Sequence, residues 1–147
     1  GHTCRCGSRG CLEQYAGRAA ILRAAGLPED TPPPDLLRLA DDGHLGVRRA
    51  LTRAGWALGV VLAGVVNLLD LPTVVLGGDL DLLSRHLKPA AEPELTSRVL
   101  SARWVAPQLL GAGESDSAAG GSVGSPTATG AAYHLLGEVL DHPAQHV

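Results

Sequence analysis

The 147-residue chain contains no methionine, no cysteine after Cys11 and no block of basic residues. Its 12 lysines and arginines are scattered through stretches of helical pattern, and the formal net charge is −3. The electrostatic footprint of a nucleic-acid binder is therefore missing, and any DNA contact has to come from elsewhere. Long hydrophobic runs are missing too. The longest, roughly Trp56 to Leu69, is shorter than a bilayer span and carries Asn67, and no charged leader with a cleavage site precedes it. These absences argue against a membrane protein and predict a cytoplasmic one. The missing methionine, the first residue Gly1 and a cysteine motif pressed against the N-terminus predict a fragment of a longer protein. What is present suffices for one compact domain over 1–147, since 45% of the residues are hydrophobic.

The three cysteines, Cys4, Cys6 and Cys11, lie in the opening stretch GHTCRCGSRGCLEQYAG. Three thiols cannot all pair, and Cys4 and Cys6 are too close in sequence to bridge comfortably. A metal is the better account. In C-x-C-G-x-x-G-C, Gly7 and Gly10 permit backbone turns that bring successive thiolates toward one centre, and zinc takes four tetrahedral ligands. His2 offers itself as a fourth ligand, but the crowded H-x-C-x-C spacing makes it a poor one. The plainer alternative is three free cysteines in a turn.

The segment Cys4 to Glu13, C-R-C-G-S-R-G-C-L-E, resembles the signature of the ROK family, which contains bacterial sugar kinases and sugar-responsive transcriptional repressors. The resemblance implies a structural Zn2+ on Cys4, Cys6 and Cys11, completed by a histidine upstream of this chain. It also implies that Glu13 hydrogen-bonds sugar hydroxyls, a task suited to the two acceptor oxygens of a carboxylate. Read from position alone, Glu13 is an acidic residue in the first turn of a helix, where it favours the macrodipole.

Hydropathy patterning then predicts a helix from Glu13 to Ala25 stopped by Gly26-Leu27-Pro28, and a proline-rich connector over 28–34. Asp35 is expected to cap a short helix Leu36–Ala40 that ends at Gly43. A long helix from Leu45 to about Leu69 is amphipathic first and almost wholly apolar from Trp56, so its second half is expected to be buried on most sides. Pro72 to Gly78 reads as a short central strand ending in paired glycines. Beyond it come a helix from Asp79 to about Leu87, a break around Pro89 and Pro93, and a helical run Glu94 to Leu100. Arg103 to Leu110 reads as a second strand bent or edged by Pro107, followed by a glycine- and serine-rich loop over 111–126 and a last helix Thr127 to Leu140. Asp79 and Asp81 are expected to cap the helix after the glycines, and Asn67 to be a buried hydrogen-bonding residue. His44, His86, His134, His142 and His146 are read as surface residues.

The stretch AGWALGVVLAGVVNLLDLPTVVLGG resembles the matching part of ROK proteins. The fold implied is α/β, the C-terminal half of an actin-like (ribonuclease H-like) ATPase with a zinc-binding loop at its N-terminus. In kinases of the family the equivalents of Gly77 and Gly78 lie beside ATP; by themselves, paired glycines after a strand are a common turn. The segments E-Q-Y-A-G-R-A-A-I-L-R-A-A-G-L and R-V-L-S-A-R-W resemble regulators of actinobacterial type. The resemblance thus implies the sugar-sensing, oligomer-forming part of a transcriptional regulator that meets DNA through a separate N-terminal domain. The alternative is the C-terminal part of an ATP- and Mg2+-dependent sugar kinase, inactive alone. Either would take a sugar or sugar phosphate.

Overall fold

The computed structural model describes residues 1–113. After an N-terminal loop the chain forms α1 (Glu13–Ala16), α2 (Arg18–Ala25), α3 (Pro33–Asp41), α4 (Leu45–Leu69), β1 (Thr73–Leu76), α5 (Asp79–Leu82), α6 (Ser84–Arg98), a 3-10 turn (Leu100–Arg103) and β2 (Gln108–Gly111). The expected helix Thr127 to Leu140, and the expected loop from residue 114 onward, lie outside the described residues.

The long helix α4 is the spine. The His44 ring caps it, Nδ1 accepting from the Val47 N–H at 3.3 Å, and Asp70 closes it in a left-handed conformation (φ 52°) two residues before Pro72. Its first half buries Val47, Leu51, Ala54 and Leu58 against Leu22 of α2, Leu36 of α3 and Leu87 of α6. Its second half buries Ala63 and Val66 against Leu76 of β1, Ala91 and Leu95 of α6, and Leu109 of β2. Gly55 and Gly59 face α6, where an added Cβ would collide with the Leu87 and Ala91 carbonyl oxygens respectively. The two backbones approach so closely because no side chain stands between them at these two turns.

β1 and β2 pair in parallel, with Thr73 opposite Gln108 and Leu76 opposite Gly111. Parallel neighbours need a long crossover, here supplied by α5, α6 and the 3-10 turn. Asn67 pins that crossover to α4: its Nδ2 donates to the Arg98 carbonyl at 2.9 Å and its Oδ1 accepts from the Leu100 N–H at 2.8 Å.

Several expectations are corrected. The helix Glu13 to Ala25 is broken at Gly17, which is extended (ψ 148°) and lets the chain turn between α1 and α2. Asp35 lies in the first turn of α3 and is not its cap; Pro32 holds that position and Pro33 starts the helix. Pro89 and Pro93 do not break α6. Both are exposed on the face opposite Leu87, Ala91 and Leu95, so the carbonyls they leave without a helical donor lie toward water. The break comes earlier, at Leu83. β2 begins only after Pro107, and Gly111 belongs to it, not to a loop.

Asn67 makes its hydrogen bonds at the surface, not buried, and Asp79 and Asp81 sit in the first turn of α5 without a side-chain capping bond. His44 and His86 have structural partners: the second bonds Asp41 Oδ1 at 2.8 Å, tying α6 to α3. Among the described residues β1 has one strand neighbour, β2, and Val75 is half-exposed, so the described residues do not enclose it as a central strand. Among the described residues the apolar half of α4 is likewise covered on one side only: Val61, Val65 and Leu68 form an open stripe, with Leu68 84% exposed. By length and composition alone α4 is apolar enough to cross a membrane, but its buried stripe is spent on α2, α3 and α6.

Candidate functional site

The N-terminal loop is a miniature hairpin. Thr3 and Arg9 form an antiparallel bridge, the Cys4 N–H donates to the Ser8 carbonyl at 2.9 Å, and the Gly7 N–H returns to the Cys4 carbonyl at 3.1 Å. Gly7 (φ 88°) and Gly10 (φ 80°) occupy the left-handed region that a Cβ resists. These turns fold Cys4, Cys6 and Cys11 onto one spot: their sulfurs lie within 4.8 Å of one another, and Cys6 Sγ is 3.5 Å from Cys11 Sγ. Thiolates on one tetrahedral ion with bonds of about 2.3 Å stand roughly 3.8 Å apart, so the cluster fits a single metal of that class.

His2 is not part of this cluster. Its Nε2 accepts from Arg53 Nη2 at 2.8 Å, and its ring packs on Tyr15 with centroids 5.1 Å apart. Hydrogen bonds from the Cys6 backbone and thiol hold the Cys4 thiol below its ordinary value. Cys11 is pushed up to about 11, first by its hydrogen bond with Cys6 and then by that with Cys4. The Gln14 amide adds a contact, Nε2 to Cys4 Sγ at 3.8 Å, and so connects α1 to the loop.

Cys11 leads directly into α1, which places Glu13 at the rim of a cavity of 270 Å³. Its walls come from α1, α2, α3 and the start of α5, including Arg18, Leu36 and Asp79. Gly78 is the residue before Asp79. It caps α5 with φ 61°, and an added Cβ at Gly77 or Gly78 would meet nothing within 4 Å. Asp79, the residue after this turn, lines the same cavity as Glu13, at the carboxyl end of β1, the end of a parallel sheet where ligands settle in α/β folds. Asp79, read from the sequence as a helix cap, is a second carboxylate on the Glu13 cavity; its position directly after Gly-Gly at a strand end was the available signal.

A larger cavity of 410 Å³ lies on the other side of α1. Gln14, Tyr15, Arg23 and Arg53 line it, and sequence patterning singled out none of them because they come from three different helices.

The model of the ROK family matches residues 1–125. The xylose repressor of Bacillus subtilis (strain 168) is 30% identical over 102 residues, covering 69% of this chain and 27% of the repressor. Among solved structures, a ROK family transcriptional regulator homologous to the E. coli MLC protein aligns with a TM-score of 0.65 and 26% identity, over 76% of this chain and 31% of that one. A ROK hexokinase from Thermus thermophilus aligns with a TM-score of 0.56 and 30% identity, over 76% and 38%. The chain therefore spans about a third or less of the first-named relatives in each comparison.

Proposed function

The chain belongs to the ROK family, and from that premise we propose that it is the sugar-sensing portion of a transcriptional regulator, with the cysteine loop as a structural zinc site. The observation that carries this reading is the convergence of Glu13, fixed immediately behind the cysteine loop, and Asp79, at the carboxyl end of β1, on one cavity. Zinc supplies no chemistry in this scheme; it anchors the hairpin so that α1 starts in a fixed place. Glu13 then accepts hydrogen bonds from two vicinal hydroxyls, and Asp79 offers a second carboxylate from the opposite wall. Charge-assisted bonds of this kind contribute about 1.5–3 kcal/mol each.

The greater structural likeness to the regulator than to the hexokinase supports the regulator reading, as do the segments after the motif. The second reading, part of an ATP-dependent sugar kinase, draws on Gly77 and Gly78, whose open surroundings leave room for a nucleotide to approach the backbone. The two readings separate on the preceding coding sequence: a basic winged helix-turn-helix for a regulator, an Asp-x-Gly phosphate loop for a kinase. In both, the protein is cytoplasmic and oligomeric.

Calorimetric titration of the zinc-loaded chain with glucose, N-acetylglucosamine and xylose tests the site. Saturable heat with at least one sugar is expected, and Glu13→Ala is expected to weaken it at least tenfold, the loss of about one charge-assisted bond. Sugar binding unchanged in Glu13→Ala would remove this residue from the site.

A further inference from the structure

Three arginines of the described structure are paired with carboxylates: Arg38 with Asp35 and Asp42, Arg85 with Asp41, and Arg98 with Glu94. Arg23 and Arg53 are not. They reach from α2 and α4 into the 410 Å³ cavity on the far side of α1 from Glu13, and no Asp or Glu lines it among the described residues. Each guanidinium spends one Nη2 group on an uncharged kind of acceptor atom, the Gln14 Oε1 at 3.3 Å and the His2 Nε2 at 2.8 Å. The remaining donors of both forks are left for another acceptor. Tyr15 adds its hydroxyl, which accepts from the His2 N–H at 3.2 Å and keeps its own proton to give. Arg53 lies 5.5 Å from the Tyr15 ring centroid, which holds it over the cavity mouth. Ala20, Ala24 and Ala50 form the floor, and their small side chains are what leaves the space.

We propose that this cavity binds a small phosphate monoester, its phosphate gripped by Arg23 and Arg53 and its organic part resting on the alanine floor. A phosphate monoester carries a charge of about −1.5 to −2 near neutral pH, which matches two guanidiniums, and the planar Arg fork fits its oxygens in pairs. The volume exceeds what a bare oxyanion fills, which favours an ester over free phosphate. The site is separate from that of the proposed sugar: α1 turns Gln14 and Tyr15 to this cavity and Glu13 to the other. Gln14 also stands between the phosphate site and the metal loop, touching Arg23 through Oε1 and Cys4 through Nε2.

The test is calorimetric titration of the 147-residue chain with glycerol phosphate and, separately, inorganic phosphate. Glycerol phosphate is expected to bind saturably and more tightly than inorganic phosphate. Arg23→Gln and Arg53→Gln are each expected to weaken it about tenfold, while Arg103→Gln, which removes the same charge from the distant 3-10 turn, leaves it unchanged. Ala24→Glu, at an exposed helix position, places a carboxylate among the arginines and is expected to abolish binding without changing the thermal melt. Glu13→Ala is expected to leave phosphate binding intact, so failure of the sugar reading and failure of this one are distinguishable. The proposal is overturned by the absence of saturation up to about 10 mM ligand. It is also overturned by equal losses in Arg53→Gln and Arg103→Gln, or by inorganic phosphate binding as tightly as the ester.

Discussion

Cys11 and Cys4 sit in one loop yet are driven in opposite directions, because the first thiolate to form is stabilised by its neighbours' protons and thereby penalises the next. With Cys11 pushed up to about 11, the metal-free loop keeps that thiol protonated at neutral pH, and a bound ion must expel the proton. Apparent zinc affinity is therefore expected to rise with pH, by about tenfold per unit between about pH 6 and 8 for each proton released, as read by competition with a chromophoric chelator. An affinity flat across that range would mean that Cys11 is not a ligand. Cys6→Ser is expected to reduce the zinc recovered by elemental analysis well below one per chain, since Cys6 lies 3.5 Å from Cys11 and interacts with both other thiols. The identity of these three residues as one cluster was readable from C-x-C-G-x-x-G-C, because short spacing and two glycines leave the chain few ways to separate the thiols. The role of His2 was not: what occupies it is Arg53, 51 residues away.

At the scale of elements, the contact between α4 and α6 is set by what is missing from its centre. Gly55 and Gly59 are one turn apart and put α4 backbone against the Leu87 and Ala91 carbonyls. Gly59→Val is expected to force the helices apart and cost about 1–3 kcal/mol in chemical denaturation, more than Gly64→Val, whose added atoms meet open space. Equal effects at the two positions would show that helix propensity, not packing, governs. The spacing of the glycines was visible in GWALG, but a glycine inside a helical pattern reads equally as a weak point, and only the partner helix distinguishes the two. The prolines of α6 depart from the sequence expectation for a related reason. Pro89 and Pro93 argue for a break in an isolated helix, whereas here they are four residues apart on the solvent side of a helix held by Leu87, Ala91 and Leu95.

At the scale of the whole molecule, burial is asymmetric across the described residues. One side of α4 is packed, while Val61, Val65 and Leu68, with Trp104 (81% exposed) and Leu100 near the sheet, remain open among the described residues. Apolar surface of this kind favours association. The chain is expected to self-associate at micromolar concentration in sedimentation velocity, and Leu68→Glu to shift it toward monomer. A monomer that stays so at high concentration would show that this surface is covered within the chain.

The sequence by itself determined the cysteine cluster, the long helix α4, the strand that ends in Gly-Gly and the α/β class, because each is written in contiguous residues whose spacing and backbone freedom act locally. Tertiary structure alone decided that Glu13 and Asp79 share a cavity, that Arg23 and Arg53 share another, and that α4 meets α6 through glycine. Those outcomes depend on which residues, distant along the chain, are pressed together when the apolar stripes of α2, α3, α4 and α6 are removed from water, and no local pattern encodes that choice.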